Sequence, residues 1–239
     1  MKLQSGRGYL ALEVALFFLF NFYAAKLAGL AASALGITLP DMPLLRHTYI
    51  AFLAILLLML WLRWRGERLA RFGLIRPRLR DLGWGVALAV VTIVADSLVR
   101  SVTTPLIVAW TGANPHLDAQ TFAALRGDLP LFLGLLPFVW LFAAFGEEFF
   151  YRGYLLNAFS QLLGGGRVAL AFGIVGQALL FGFAHWYQGP VGMVPIGAVA
   201  ILTGIATTAR GRNLWPAMVA HGLVDTLGFT LLYFGQPLS

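Results

Sequence analysis

The sequence contains no cysteine. Disulfide frameworks, thiolate metal sites and a cysteine nucleophile are excluded, and the redox compartment stays unread. Charge is scarce: 11% of the 239 residues are Asp, Glu, Lys or Arg, against about a quarter in average globular domains. The composition is 59% hydrophobic with a mean hydropathy of +0.80. A soluble domain of this size could not hide that much apolar surface, because small domains keep much of their surface in water. An ordinary cytosolic enzyme, a disordered chain and a fibrous repeat are therefore excluded. Short alternating apolar runs are missing too, which argues against a transmembrane β-barrel. What remains is an all-α fold, a polytopic membrane helix bundle.

A spanning helix needs about 20 mostly apolar residues. Seven segments meet or approach this, at 9–35, 47–64, 82–110, 130–162, 168–187, 190–209 and 214–234. The first carries Glu13 and Lys26 and lacks a small-residue cleavage site, so it reads as a span rather than a signal peptide. No internal repeat or separate soluble domain is evident, and residues 1–239 read as a single integral membrane domain.

The net charge of +7 rests on 15 Arg and 2 Lys against 10 acids, and seven of the arginines fall between Arg63 and Arg80. Such a run between apolar segments reads as a cytoplasmic loop that touches anionic lipid, not as a nucleic-acid site. Lys2, Arg7, Arg167, Arg210 and Arg212 fall on the same side as that run if the N-terminus is inside. Arg46, and Arg126 beside Asp118 and Asp128, fall on the other. The expected topology is N-in and C-out, with the bilayer itself as a partner and no nucleic acid.

Ionisable residues inside spans are costly and face a partner or a cavity. Glu13 and Lys26 are too far apart on one helix to touch, and each reads as structural. Asp96 and Arg100 are an i,i+4 pair that neutralises itself on one helix face. Glu147-Glu148-Phe149-Phe150-Tyr151-Arg152 is different. With α-helical geometry, Glu148 and Arg152 share a face, while Glu147 is about 140° from Arg152. Glu147 is then expected to point away from that cation and to be available as a base. His185 closes the run Phe181-Gly182-Phe183-Ala184-His185, and His221 and Asp225 share a face four residues apart. Taken singly, these read as structural as readily as functional.

Their combination carries more. Glu147 lies 17 residues before Gly164, and His185 lies 19 residues after Gly166. Antiparallel helices joined at the Gly164–Gly166 turn would bring the two level to within roughly 3 Å. His221 is only 9 residues after Arg212, so it joins them only if the 209–213 turn sits deeper in the bundle than the 164–166 turn. Two carboxylates and two imidazoles in a membrane cavity suit hydrolysis: a carboxylate can deprotonate water, and imidazoles can stabilise an oxyanion or protonate a leaving group. The same four groups, Glu147, His185, His221 and Asp225, could hold zinc with a position left for water. HExxH, GxSxG, a P-loop and a dinucleotide fingerprint are all absent.

Glu147-Glu148-x-x-x-Arg152, Phe181-x-x-x-His185 and His221-x-x-x-Asp225 resemble the three ordered motifs of the CPBP family, the CAAX-protease and bacteriocin-processing membrane proteins. The resemblance covers about residues 130–235, the expected catalytic core. It implies an intramembrane endopeptidase whose helix-lined cavity opens toward the cytosol. Glu147 would activate water with His185. Glu148 and Arg152 would shape the site, and Phe181 would wall it. His221 and Asp225 would bind the oxyanion or complete a metal site. Many members have Asn where this chain has Asp225; a carboxylate cannot donate an amide hydrogen bond, which favours a His-orienting or metal role. A metal-free glutamate mechanism is the expectation, with zinc the alternative. The expected substrate is a membrane-associated peptide or protein, and the expected location a prokaryotic plasma membrane. The rival readings are a non-catalytic immunity or binding protein of the same family and a proton-coupled transporter.

Overall fold

A computed structural model describes residues 6–34, 43–115 and 122–236, with side chains described except at 21, 22, 24–29, 31, 32 and 43–51. Lys2 and Asp118, used in the sequence reading, fall outside the described residues, and Lys26 and Arg46 are described by their backbone alone. The described chain forms seven helices: α1 (Arg7–Ala34), α2 (Pro43–Trp64), α3 (Leu79–Thr111), α4 (Leu129–Leu162), α5 (Gly166–Ala184), α6 (Gly189–Ala209) and α7 (Trp215–Tyr233). No strand occurs among the described residues. The protein is a helical membrane bundle, and the seven expected segments coincide with its seven helices to within a few residues. Of these, α3, α4, α5 and the 186–209 segment containing α6 are each long and apolar enough to cross a bilayer.

Helix α4 is central. It packs against α1, α2, α5 and α7, while α3 lies along α6 and α7, and α5 pairs with α6. Its middle, Val139–Leu155, departs from α-helical bonding and runs with i→i+5 hydrogen bonds. The switch follows Pro137, which has no N–H to give to the carbonyl one turn earlier. Such π-type turns occur often at functional sites, and this stretch holds Glu147, Glu148 and Arg152. Its faces are closely packed: Phe149, Phe150, Tyr151, Tyr154 and Leu155 are all buried, with Phe72, Leu214 and Met218 around them.

Small residues set the close approaches. A Cβ on Gly182 of α5 would sit 2.6 Å from Met193 O and 2.9 Å from Gly197 Cα of α6, so only glycine lets these helices meet there. A Cβ on Gly153 of α4 would sit 2.7 Å from Phe72 O and 3.2 Å from a methyl of Leu214. Leu214, the residue before α7, therefore reaches a level 11 residues short of Gly164 along α4. The 209–213 turn does sit deeper than the 164–166 turn, as the sequence reading required for His221. This end is fastened by Asn213 Nδ2 donating to Asp81 Oδ1 at 2.8 Å and Trp215 Nε1 donating to Ile75 O at 2.7 Å.

Glu13 is 5% exposed and does not snorkel. It accepts from Trp61 Nε1 (2.9 Å), from Tyr154 Oη (2.7 Å) and from Arg65. One buried carboxylate thus ties α1, α2 and the segment after α2 to α4, which bears out its structural reading. A buried charge is tolerable when it is paired and hydrogen-bonded in this way.

Candidate active site

Helices α3, α4, α5, α6 and α7 enclose a cavity of about 370 Å³. Glu147, Glu148 and Arg152 line it from α4, His221 and Asp225 from α7, and Phe181 and His185 from the end of α5. The six polar residues of the three motifs therefore meet at one cavity. His185 is not in the helix but just past its last residue, Ala184.

His221 is the hub. Its Nδ1 lies 2.9 Å from Glu148 Oε1 and donates to that carboxylate. Its Nε2 lies 3.4 Å from Asp225 Oδ2 and 3.9 Å from Glu147 Oε2. Glu148 is also paired with Arg152, whose Nη1 stands 3.1 Å from Oε1. Arg152 is buried, donates through Nη2 to Thr203 Oγ1 at 2.8 Å, and lies 4.1 Å over the ring of Phe181. Arg152 is thus held by a carboxylate, a hydroxyl and an aromatic face.

As expected, Glu148 pairs with Arg152 and Glu147 makes no ion pair with that cation among the described residues. Not foreseen was that both carboxylates stand against the same imidazole. The physical reason is the i→i+5 bonding, which widens the turn and brings neighbouring residues closer to one face than α-helical geometry allows. The two glutamates still differ. Glu148 is 1% exposed and engaged at Oε1. Glu147 lines the cavity with a side chain 33% exposed and makes no hydrogen bond among the described residues, although Oε2 is unpartnered in both glutamates.

The tautomer of His185 follows from its neighbour. Nδ1 lies 2.8 Å from Phe181 O. A backbone carbonyl only accepts, so Nδ1 carries the proton, and a neutral ring keeps its lone pair on Nε2. Phe181 spaces the two imidazoles, with ring centroids 4.9 Å from His185 and 6.0 Å from His221.

Among the described residues, no three His, Asp or Glu side chains are placed to hold a metal ion. As arranged, His221 faces carboxylates at both ring nitrogens, and the acids and imidazoles engage one another rather than converging on a point.

Two cavity residues escaped the sequence reading as site residues. Asp96 and Arg100 of α3 form the expected i,i+4 pair, with Nε to Oδ2 at 2.8 Å. They also line the cavity, and Arg100 Nη1 donates to Val191 O at 3.3 Å. Two ionisable residues inside one span were the available signal; their self-neutralising spacing hid it.

The cavity also has a direction. From Arg152 and Thr203 at mid-bundle, its lining runs to Phe122, Tyr187, Gln188 and Leu232. These lie at the end of the bundle opposite Arg63–Arg80, the 164–166 turn and Arg212. An inside N-terminus and a cavity open toward the cytosol are therefore incompatible expectations for this chain.

The bundle thus gathers two glutamates, an aspartate and two histidines around one cavity within its spans. Residues 129–227, which hold all three motifs, match the family described as Type II CAAX prenyl endopeptidase Rce1-like. The matched segment is consistent with the CPBP, or CAAX-protease, family, and it supports a CAAX-type intramembrane protease at the level of the family. No curated protein and no solved structure matches the chain.

Proposed function

We propose that this protein is an intramembrane endopeptidase that hydrolyses a peptide bond of a membrane-associated peptide or protein, with Glu147 as the base that activates water. The observation that carries this reading is that Glu147 lines a cavity that also holds both imidazoles and, unlike Glu148, is held by neither a hydrogen bond nor the Arg152 guanidinium. A carboxylate kept out of hydrogen bonds inside a spanning helix is costly and needs a purpose.

In the proposed reaction, Glu147 takes a proton from water as the water oxygen bonds to the substrate carbonyl carbon. The carbonyl π electrons move onto oxygen. His185 accepts a hydrogen bond from the second O–H of the water at Nε2 and orients the attack, with that proton staying on the oxygen. With a proton on each ring nitrogen, His221 donates to Glu148 and presents Nε2–H to the oxyanion, while Asp225 holds the ring. Collapse of the tetrahedral intermediate breaks the C–N bond, and the proton held by Glu147 passes to the leaving amine. Glu148 and Arg152 act on His221 rather than on substrate. The mechanism is proposed as metal-free, because the donor set is arranged for mutual hydrogen bonding. Residues 130–235 form the proposed catalytic core.

The arginine distribution favours N-in orientation in a prokaryotic plasma membrane. The cavity then opens at the extracytoplasmic end, and the peptide substrate enters from that side. The direct test uses purified protein in lipid nanodiscs with a panel of membrane-associated peptides, each scored by mass spectrometry. Cleavage by the wild type that disappears in Glu147→Ala, with expression and folding intact, is expected. Full turnover by Glu147→Ala sinks the assignment.

A further inference from the structure

A second cavity lies at the other end of the bundle. It measures about 390 Å³ and is lined by Arg71, Arg167, Arg212, Ser160, Gly165 and Gly166. No described carboxylate lines it. Arg71 is paired with Glu67 at 2.8 Å and donates to Gln161 Oε1 at 3.1 Å. Arg212 donates to the neutral Asn157. Arg167 makes no ion pair among the described residues. Of three guanidiniums at the cavity, one has a carboxylate partner and two keep their charge uncompensated.

The first turn of α5 starts in this cavity. Gly165 and Gly166 both have positive φ (77° and 85°), and no side chain caps the helix. Its first N–H groups therefore lack intrahelical acceptors and carry the positive end of the helix dipole. Ser160 supplies an independent sign of a ligand. It is 6% exposed and lines the cavity, and its hydroxyl makes no hydrogen bond among the described residues, while its carbonyl accepts from Gly165 N at 2.8 Å. A hydroxyl on a cavity wall with no protein partner is free to donate to a ligand there. Uncompensated guanidiniums, a bare helix N-terminus and an unused hydroxyl converge on a space with no anion of the protein's own.

We propose that this cavity binds the phosphate of an anionic phospholipid headgroup. Guanidiniums and helix N-terminal N–H groups both match phosphate oxygens. The position matches as well. Helix α4 has 34 residues, at most about 51 Å, since the 1.5 Å rise of an α-helix is an upper bound for its i→i+5 stretch. That exceeds a hydrocarbon core of about 30 Å, so its end beside the 164–166 turn reaches the headgroup layer. A basic pocket between helices at the cytoplasmic face is a setting in which lipid headgroups bind. The proposal does not depend on the peptidase reading.

The test is native mass spectrometry of the full-length protein in detergent, with phosphatidylglycerol, phosphatidylcholine or inorganic phosphate added. One phosphatidylglycerol retained in preference to phosphatidylcholine is expected, and millimolar inorganic phosphate should not displace it. Arg167→Gln combined with Ser160→Ala should weaken retention by about tenfold, the loss of charge-assisted hydrogen bonds. Arg167 is exposed, so its loss leaves the fold intact. Arg76→Gln, an exposed arginine outside the cavity, should change retention by less than about twofold, as expected for screened surface charge. Equal loss in Arg76→Gln and in the cavity variant would reduce the effect to diffuse attraction and overturn the site. Displacement by inorganic phosphate, or equal retention of phosphatidylcholine, would overturn the lipid assignment.

Discussion

The two adjacent glutamates offer a sharp experiment, because they share a cavity but not a role. Glu148 is 1% exposed and holds both His221 Nδ1 (2.9 Å) and Arg152 Nη1 (3.1 Å). Glu148→Gln keeps an accepting oxygen but removes the charge, leaving Arg152 buried without its carboxylate. Breaking a buried pair by removing one partner costs about 3–5 kcal/mol. Thr203 and the Phe181 ring still hold the guanidinium, so the lower end, about 3 kcal/mol, is expected. Glu147→Gln removes a carboxylate whose Oε2 has no hydrogen bond to lose. Its stability should stay within about 0.5 kcal/mol of wild type, as for changes that break no buried network. Peptide cleavage should fall by about 10²–10⁴-fold, the contribution of a positioned base. The assay pairs reversible unfolding in detergent micelles with single-turnover cleavage of a fluorogenic membrane peptide. The predicted signature is a stable, inactive Glu147→Gln beside a destabilised Glu148→Gln. Equal destabilisation of the two variants, or cleavage by Glu147→Gln within tenfold of wild type, would refute the division of labour.

Four further outcomes follow from the same geometry. Tyr154→Phe removes the hydroxyl donor to buried Glu13 (2.7 Å) and should cost about 1–2 kcal/mol on unfolding while leaving the cleavage rate unchanged; a large rate loss would tie the α1 clamp to the site. Gly182→Ala forces a Cβ against Met193 O and should destabilise by about 1–3 kcal/mol, whereas Gly83→Ala, with nothing within 4 Å, should stabilise by about 0.5–1 kcal/mol; matching effects on Tm would show that the α5–α6 approach is not tight. Chelation by EDTA or phenanthroline should leave cleavage intact, with no stoichiometric metal by elemental analysis, and loss that zinc restores would overturn the metal-free mechanism. Since the chain has no cysteine, single cysteines report topology cleanly: Ala124→Cys in intact cells should react with a membrane-impermeant maleimide, and Arg68→Cys only after permeabilisation, the reverse pattern placing the cavity mouth in the cytosol.

The helices were readable because each span is long, apolar and bounded by Gly, Pro or Arg, and hydropathy over 20 residues is a local property. The same holds for Glu13, Asp96 and Arg100 as residues needing partners. Their partners were not readable. Glu13 meets Trp61, Arg65 and Tyr154 across 48 to 141 residues of sequence, and no periodicity encodes such a meeting. Asp96 and Arg100 looked self-sufficient at i,i+4, and only the packing of α3 against α6 and α7 turns that pair toward the cavity.

Residue types and their order along the chain determined the class of fold and the motif residues, because hydropathy and ionisable groups within spans are local properties of the chain. Three things were left to tertiary structure: the depth of the 209–213 turn that admits His221, the end of the bundle at which the cavity opens, and the shared imidazole of the two glutamates. The first two depend on helix packing through glycine contacts such as Gly153 against Leu214. The third depends on the i→i+5 bonding after Pro137, a change of backbone register that moves side chains around the helix without altering a letter of the sequence.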